Sequence, residues 1–202
     1  FIALSTRIAI GARIGEASTL EPYVEEARRI ERPEWPGHWR RHLHWSCYRW
    51  MQATGRPEEA LGFALARAAD YRNAGEPLLE QVTLGDLVAD CEMAAGRLDA
   101  AEARCRAALA SLRGQAGYEW GVAHVLETLA FVCTAQEKNE ESFTHARAAL
   151  QTSRDVGMHF RLLEAMALNA ARQGRLDDAA WTVGYVDRLY AERGEVRWPL
   201  AR

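Results

Sequence analysis

The chain has 202 residues, 49% hydrophobic and 26% charged, with a formal net charge of −3 and a pI near 6.1. That length supplies enough apolar material for a substantial core. The slightly acidic balance excludes a global electrostatic pull toward nucleic acid or an anionic membrane, and the basic residues fall in isolated pairs, Arg28-Arg29 and Arg40-Arg41, rather than in patches.

Alanine is abundant and proline sparse, which favours helices that approach closely. No apolar run reaches the roughly 18 residues that a spanning helix needs. Cys47, Cys91, Cys105 and Cys133 sit in apolar stretches without C-x-x-C spacing, so free buried thiols are expected, not a disulfide framework. The opening Phe1-Ile2-Ala3-Leu4 is soon interrupted by Arg7 and Arg13 and does not read as a secretion signal. A cytoplasmic chain is expected, and the missing initiator Met suggests a segment of a longer protein.

In chain order, the apolar period first predicts a helix from Phe1 to Ile14, a turn at Gly15 and a helix from Leu20 to Ile30. Residues 31–37 form the Pro-rich connector. From there one turn recurs: Gly55-Arg56-Pro57-Glu58-Glu59-Ala60, Gly96-Arg97-Leu98-Asp99-Ala100-Ala101 and Gly174-Arg175-Leu176-Asp177-Asp178-Ala179, with a degenerate copy at Lys138-Asn139-Glu140-Glu141-Ser142. The final small residues are separated by 41 (Ala60 to Ala101), 41 (Ala101 to Ser142) and 37 (Ser142 to Ala179). Glycine, or Asn139, is expected to end one helix in the left-handed conformation. The acidic pair suits the positive end of the next helix, and Pro57 suits a first turn.

Before each turn runs an apolar stripe: Leu84, Leu87, Val88 and Cys91; then Val122, Val125, Leu126, Leu129 and Val132; then Leu162, Leu163, Met166 and Ala170. After each turn a second helix is predicted, over Ala60 to Ala74, Ala100 to Leu112, Ser142 to Val156 and Ala179 to Arg193, ending near Gly75, Gly114, Gly157 and Gly194. Beyond lies a tail, Glu195 to Arg202, which Pro199 should keep from extending as helix.

These units resemble tetratricopeptide repeats. Small residues fall midway along the first helix (Ala89, Ala130, Ala167), at the start of the second (Ala60, Ala101, Ser142, Ala179) and four positions later (Ala64, Cys105, Ala146, Val183). The units are longer than the family's ~34 residues, and they are similar to the repeat regions of large bacterial ATPase-containing transcription regulators. The resemblance implies an all-α, right-handed α-α superhelix of about five helix pairs in a single domain over 1–202, with units near 1–32, 38–75, 78–113, 118–156 and 159–194.

In such a solenoid the first helices line the concave wall. Helical phase then places His42, Trp45 and Arg49, Asp86 and Asp90, His124, Glu127 and Phe131, and Arg161 and Glu164 along one binding groove. Replacing Trp45 or Arg49 by alanine is expected to weaken binding without unfolding the chain. The resemblance implies a non-catalytic protein-interaction or sensor arm, the C-terminal regulatory part of a bacterial transcriptional regulator. Its partner would be a protein, a peptide or another domain of the same polypeptide. The alternative is a small-molecule inducer in the groove. An all-helical enzyme ranks third, because no glycine-rich phosphate loop or nucleophile elbow is present. No direct contact with nucleic acid or membrane is expected, and no cofactor or metal: His38 and His42 are four apart but lack a third ligand at useful spacing.

Overall fold

The structure is a computed structural model describing residues 2–152 and 156–197. The break expected at Pro199 lies outside the described residues. Ten helices and no strand occur among the described residues. They are α1 (Ile2–Arg13), α2 (Glu21–Ile30), α3 (Gly37–Ala53), α4 (Pro57–Asn73), α5 (77–94), α6 (Leu98–Leu112), α7 (Glu119–Ala135), α8 (Asn139–Thr152), α9 (Val156–Arg172) and α10 (Leu176–Arg193). None of them is long and apolar enough to cross a membrane.

The recurring turn is one hydrogen-bonded device. At the end of α3 the Arg56 N–H donates to the Met51 carbonyl at 2.9 Å, while Gly55 holds φ at 71°. This Schellman arrangement satisfies carbonyls that the helix end leaves without partners. The same six-residue closure recurs from Glu76 to Tyr71, Arg97 to Glu92, Lys138 to Cys133 and Arg175 to Ala170. The degenerate copy corrects one expectation. The left-handed residue there is Glu137, with φ 62°, and Asn139 instead begins α8. Glu137 lies 41 residues after Gly96, so it fills the glycine position of the repeat without being glycine. A second correction concerns Gly157, which lies inside α9 instead of ending α8 at Thr152.

Helices are held apart by small side chains. Ala60, Ala64, Ala101, Cys105, Ala146, Ala89 and Ala130 are wholly buried, and Ala167 and Ala179 nearly so. Ser142 keeps the same register with a hydroxyl because it has a partner, donating to the Ala130 carbonyl at 2.9 Å. Val183 breaks the pattern and stands 37% exposed.

In α5 the α-helical segments Pro77–Thr83 and Ala89–Ala94 flank a π-helical segment, Leu84–Val88. Its Gly85 lies so close to α6 that an added Cβ would sit 2.5 Å from the Cβ of Ala108. The Cys105 thiol donates to the Gly85 carbonyl at 3.2 Å, taking up an acceptor in the widened turn.

First helices adjoin first helices along the chain: α1 packs on α3, α3 on α5, α5 on α7 and α7 on α9. The row curves until its ends touch. The Val196 N–H donates to the Arg13 carbonyl at 2.7 Å, and the Arg13 guanidinium grips both oxygens of Glu195 at 2.7 and 3.3 Å. The start of the expected tail therefore ties the last helix pair back to the first.

Candidate functional site

The inner helices show an unusual mixture: apolar residues toward their hairpin partners, ionisable residues toward the interior. On α3 these are Arg41, Trp45 and Arg49; on α5, Asp86 and Asp90; on α7, His124, Glu127 and Phe131; on α9, Arg161 and Glu164. Helical phase explains why each set shares a face. All of these but Arg41 belong, with His42, to the open polar groove that the sequence predicts. The structure corrects that, since Arg49, Asp86, Asp90 and Glu127 are buried. Curvature of the row brings opposite walls together and removes them from water.

Most of these residues meet. Arg41 pairs with Asp86 at 2.5 Å, and the Tyr48 hydroxyl donates to Asp90 at 2.7 Å while accepting from Gln52 at 2.7 Å. Arg161 lies 3.3 Å from Glu127, and His124 lies 3.8 Å from the other oxygen of that carboxylate. Two arginines are held over aromatic faces, Arg49 over Trp45 at 5.4 Å and Arg161 over Phe131 at 5.2 Å, a favourable cation–π placement. Glu164 lies at the far end, 3.5 Å from Arg197. His42 lies at the exposed edge of the set, its ring 6.3 Å from that of Trp45 and its Nδ1 3.0 Å from the Ser5 hydroxyl of α1.

Burial makes this a strained electrostatic neighbourhood. It raises the Glu127 carboxyl to about 7, opposed by Arg161 and Arg49 and reinforced by Asp86 and Asp90. Burial likewise raises Asp90, against the pull of Arg161 and Arg49. Arg49 falls to about 10, first through burial and then through the neighbouring charge of Arg161. The hydrogen bonding among the described residues is incomplete: Glu127 Oε1 and Glu164 Oε1 are held by ion pairs at 3.3 and 3.5 Å without making a hydrogen bond, and Glu164 Oε2 and Arg41 Nε make none either. Buried polar atoms left in this state cost stability.

Beside the cluster lies a cavity of about 970 Å³, walled by Phe131, Glu164, Leu168 and Arg172 and by the small residues Ala94, Ala135, Ala180 and Gly184. A smaller recess of about 240 Å³ is formed by His38, Arg41, His42, Trp45, Trp120 and His124. The rings of Trp45 and Trp120 flank His124 there, at 6.4 and 6.2 Å between centroids.

Sequence reasoning missed Arg41, Tyr48 and Arg197. Arg41 was hidden in a dibasic pair, and Arg197 reaches the site only because the chain end folds back. It also missed a second polar network, in which Glu31 of the connector bonds the buried His44 at 2.7 Å while Tyr71 lies 2.8 Å from the other ring nitrogen. The network pins the connector to α3 and α4. The four cysteines are buried free thiols, with Cys47 and Cys91 pushed by burial up to about 12.

No protein-family model matches the chain, and no curated protein matches it.

Proposed function

We propose that this protein is a non-catalytic recognition module whose concave interior takes a compact polar ligand. The observation that carries this reading is the buried charge cluster with unsatisfied oxygens, set beside a cavity of about 970 Å³. That volume matches the ~300–1,000 Å³ of small-molecule sites, and apolar walls with a few convergent polar groups are their usual composition. Contact of Glu195 and Val196 with Arg13, which brings the last helix pair to the first, favours a compact ligand over a long extended peptide. The repeated turns and buried alanine crossings support a right-handed superhelix of five pairs resembling tetratricopeptide repeats. Within that reading the module serves as the regulatory arm of a bacterial transcriptional regulator.

A panel of small polar metabolites tested by thermal shift examines the proposal, because a ligand of the native state raises the melting temperature by mass action. The reading expects at least one stabilising compound, with the shift lost in Arg161→Ala and reduced in Trp45→Ala. Stabilisation equal in the parent and both variants contradicts it.

A second reading, contact with a protein partner or another domain of the same polypeptide, is favoured by a different surface. On α10, Trp181 is 74% and Leu176 66% exposed, and Trp181 stacks on Tyr185 with ring planes 3° apart. Exposed aromatics of this kind commonly anchor interfaces.

A further inference from the structure

Away from the concave face, α7 and α8 bring together three donors of different chemistry. Cys133, on α7, faces Glu141 and His145, which are four residues apart and so share one face of α8. One ligating atom of each lies within 4.8 Å of the other two. Cys133 is fully buried, His145 half-buried and Glu141 exposed, so the trio opens outward through α8.

We propose that Cys133, Glu141 and His145 form a binding site for a borderline-soft divalent cation of the Zn²⁺ class, with water completing a tetrahedron. Zn²⁺ combines thiolate, imidazole and carboxylate ligands at about 2.0–2.3 Å, and three protein ligands leave one position open. Such bonds set ligand atoms closer together than the 4.8 Å limit within which these three lie. Side-chain rotation supplies the difference, since Glu141 and His145 are long and partly solvent-facing. Neither the Cys133 thiol nor the His145 ring has a hydrogen bond among the described residues, so their donor atoms are available. On binding, the Cys133 sulfur–hydrogen bond breaks, its proton passes to solvent and the sulfur–metal bond forms.

The surroundings fit a supported site. Arg106 of α6 holds Glu141 at 2.8 Å and Glu102 at 2.7 Å. It can stay on Glu102 and one Glu141 oxygen while the other ligates, the outer-shell role that orients a carboxylate. Lys138 pairs with Glu102 at 2.8 Å, and its charge, close enough to be felt at Cys133, favours the thiolate that a metal needs. The trio holds a single carboxylate instead of the all-oxygen ligand set of a hard-cation site, and its sulfur and nitrogen donors discriminate against Mg²⁺ and Ca²⁺.

Titrating Co²⁺ into the untagged full chain tests this. The expected result is one equivalent bound with a thiolate-to-cobalt charge-transfer band and tetrahedral d–d bands, both displaced by Zn²⁺. His145→Gln, a partly exposed substitution that leaves the core intact, should weaken binding by about tenfold or more. Cys133→Ser should abolish the charge-transfer band, whereas Cys105→Ser should retain it. A folded parent protein without the band, or His145→Gln binding as tightly as the parent, overturns the proposal. Circular dichroism of each variant identifies any that has lost its fold; if Cys133→Ser unfolds, the His145→Gln result decides.

Discussion

Each inner helix carries two seams that follow opposite rules. Toward its hairpin partner, α7 offers Ala130, and α6 and α8 answer with Ala101, Cys105, Ser142 and Ala146, all fully buried. There the contact is close and dry, and its one hydroxyl pair, Ser142 with Thr134 at 2.7 Å, is satisfied. Toward the interior, the same helix presents Glu127 beside Arg161, His124 and Phe131, with an ion-paired oxygen that makes no hydrogen bond among the described residues. The first seam is explained by stability alone. The second is not, because buried ion pairs generally stabilise no more than apolar packing of similar volume. Retaining ionisable groups there points to recognition.

The contrast can be broken or sharpened by substitution. The largest effect is expected from Asp86→Ala, which leaves Arg41 buried without its partner; orphaning a buried charge costs about 3–5 kcal/mol. Urea denaturation measures this, and a loss below ~1 kcal/mol would mean that Arg41 escapes to water. Contrary to the sequence expectation, Arg49→Ala should also lower stability, since Arg49 is buried over Trp45.

In the dry seam, Ala101→Leu should cost about 1–3 kcal/mol by overpacking. An unchanged denaturation midpoint would show that α6 and α5 have room to separate.

The charged seam should also respond to pH. The folded carboxyl of Glu127 sits at about 7, above the ~4.3 of an unfolded chain. An acid with a raised folded value binds more protons when folded, so its effect is nil below ~4. The destabilisation grows as pH rises through this window and is complete above about 7. Relative to Glu127→Gln, the parent should therefore lose on the order of 1–3 kcal/mol between pH 5 and pH 8. A difference that stays flat would mean that Glu127 is ionised throughout.

The smallest effect belongs to a turn. Glu137 occupies the left-handed position that glycine fills in the sister turns. Glu137→Gly should raise stability by roughly 0.5–1 kcal/mol, the left-handed penalty of a side chain less the added freedom of glycine.

The helices and turns were legible because their signals are local: Gly-Arg before acidic residues and small residues at constant spacing. Helical phase also sufficed to place Arg49, Asp90, Glu127 and Arg161 on facing sides. Their burial was not legible, because it depends on how far the row curves and on Glu195 and Val196 returning to Arg13. No local pattern announces a contact 182 residues away in sequence. The π segment at 84–88 was hidden for a similar reason, since Gly85 widens the turn to fit Ala108 of another helix. Glu137 escapes such a reading because a helix end is sought at glycine or asparagine: the 41-residue step from Gly96 reaches Glu137, but Asn139 stands two residues on.

The most direct test of the central claim removes one balanced pair from the concave cluster. Glu127→Leu combined with Arg161→Met deletes one charge of each sign and fills the space with apolar atoms. If the cluster is kept for recognition, the double variant should unfold at the same urea concentration as the parent or a higher one. A loss of about 3 kcal/mol or more would contradict the account, making the pair a structural element of the fold.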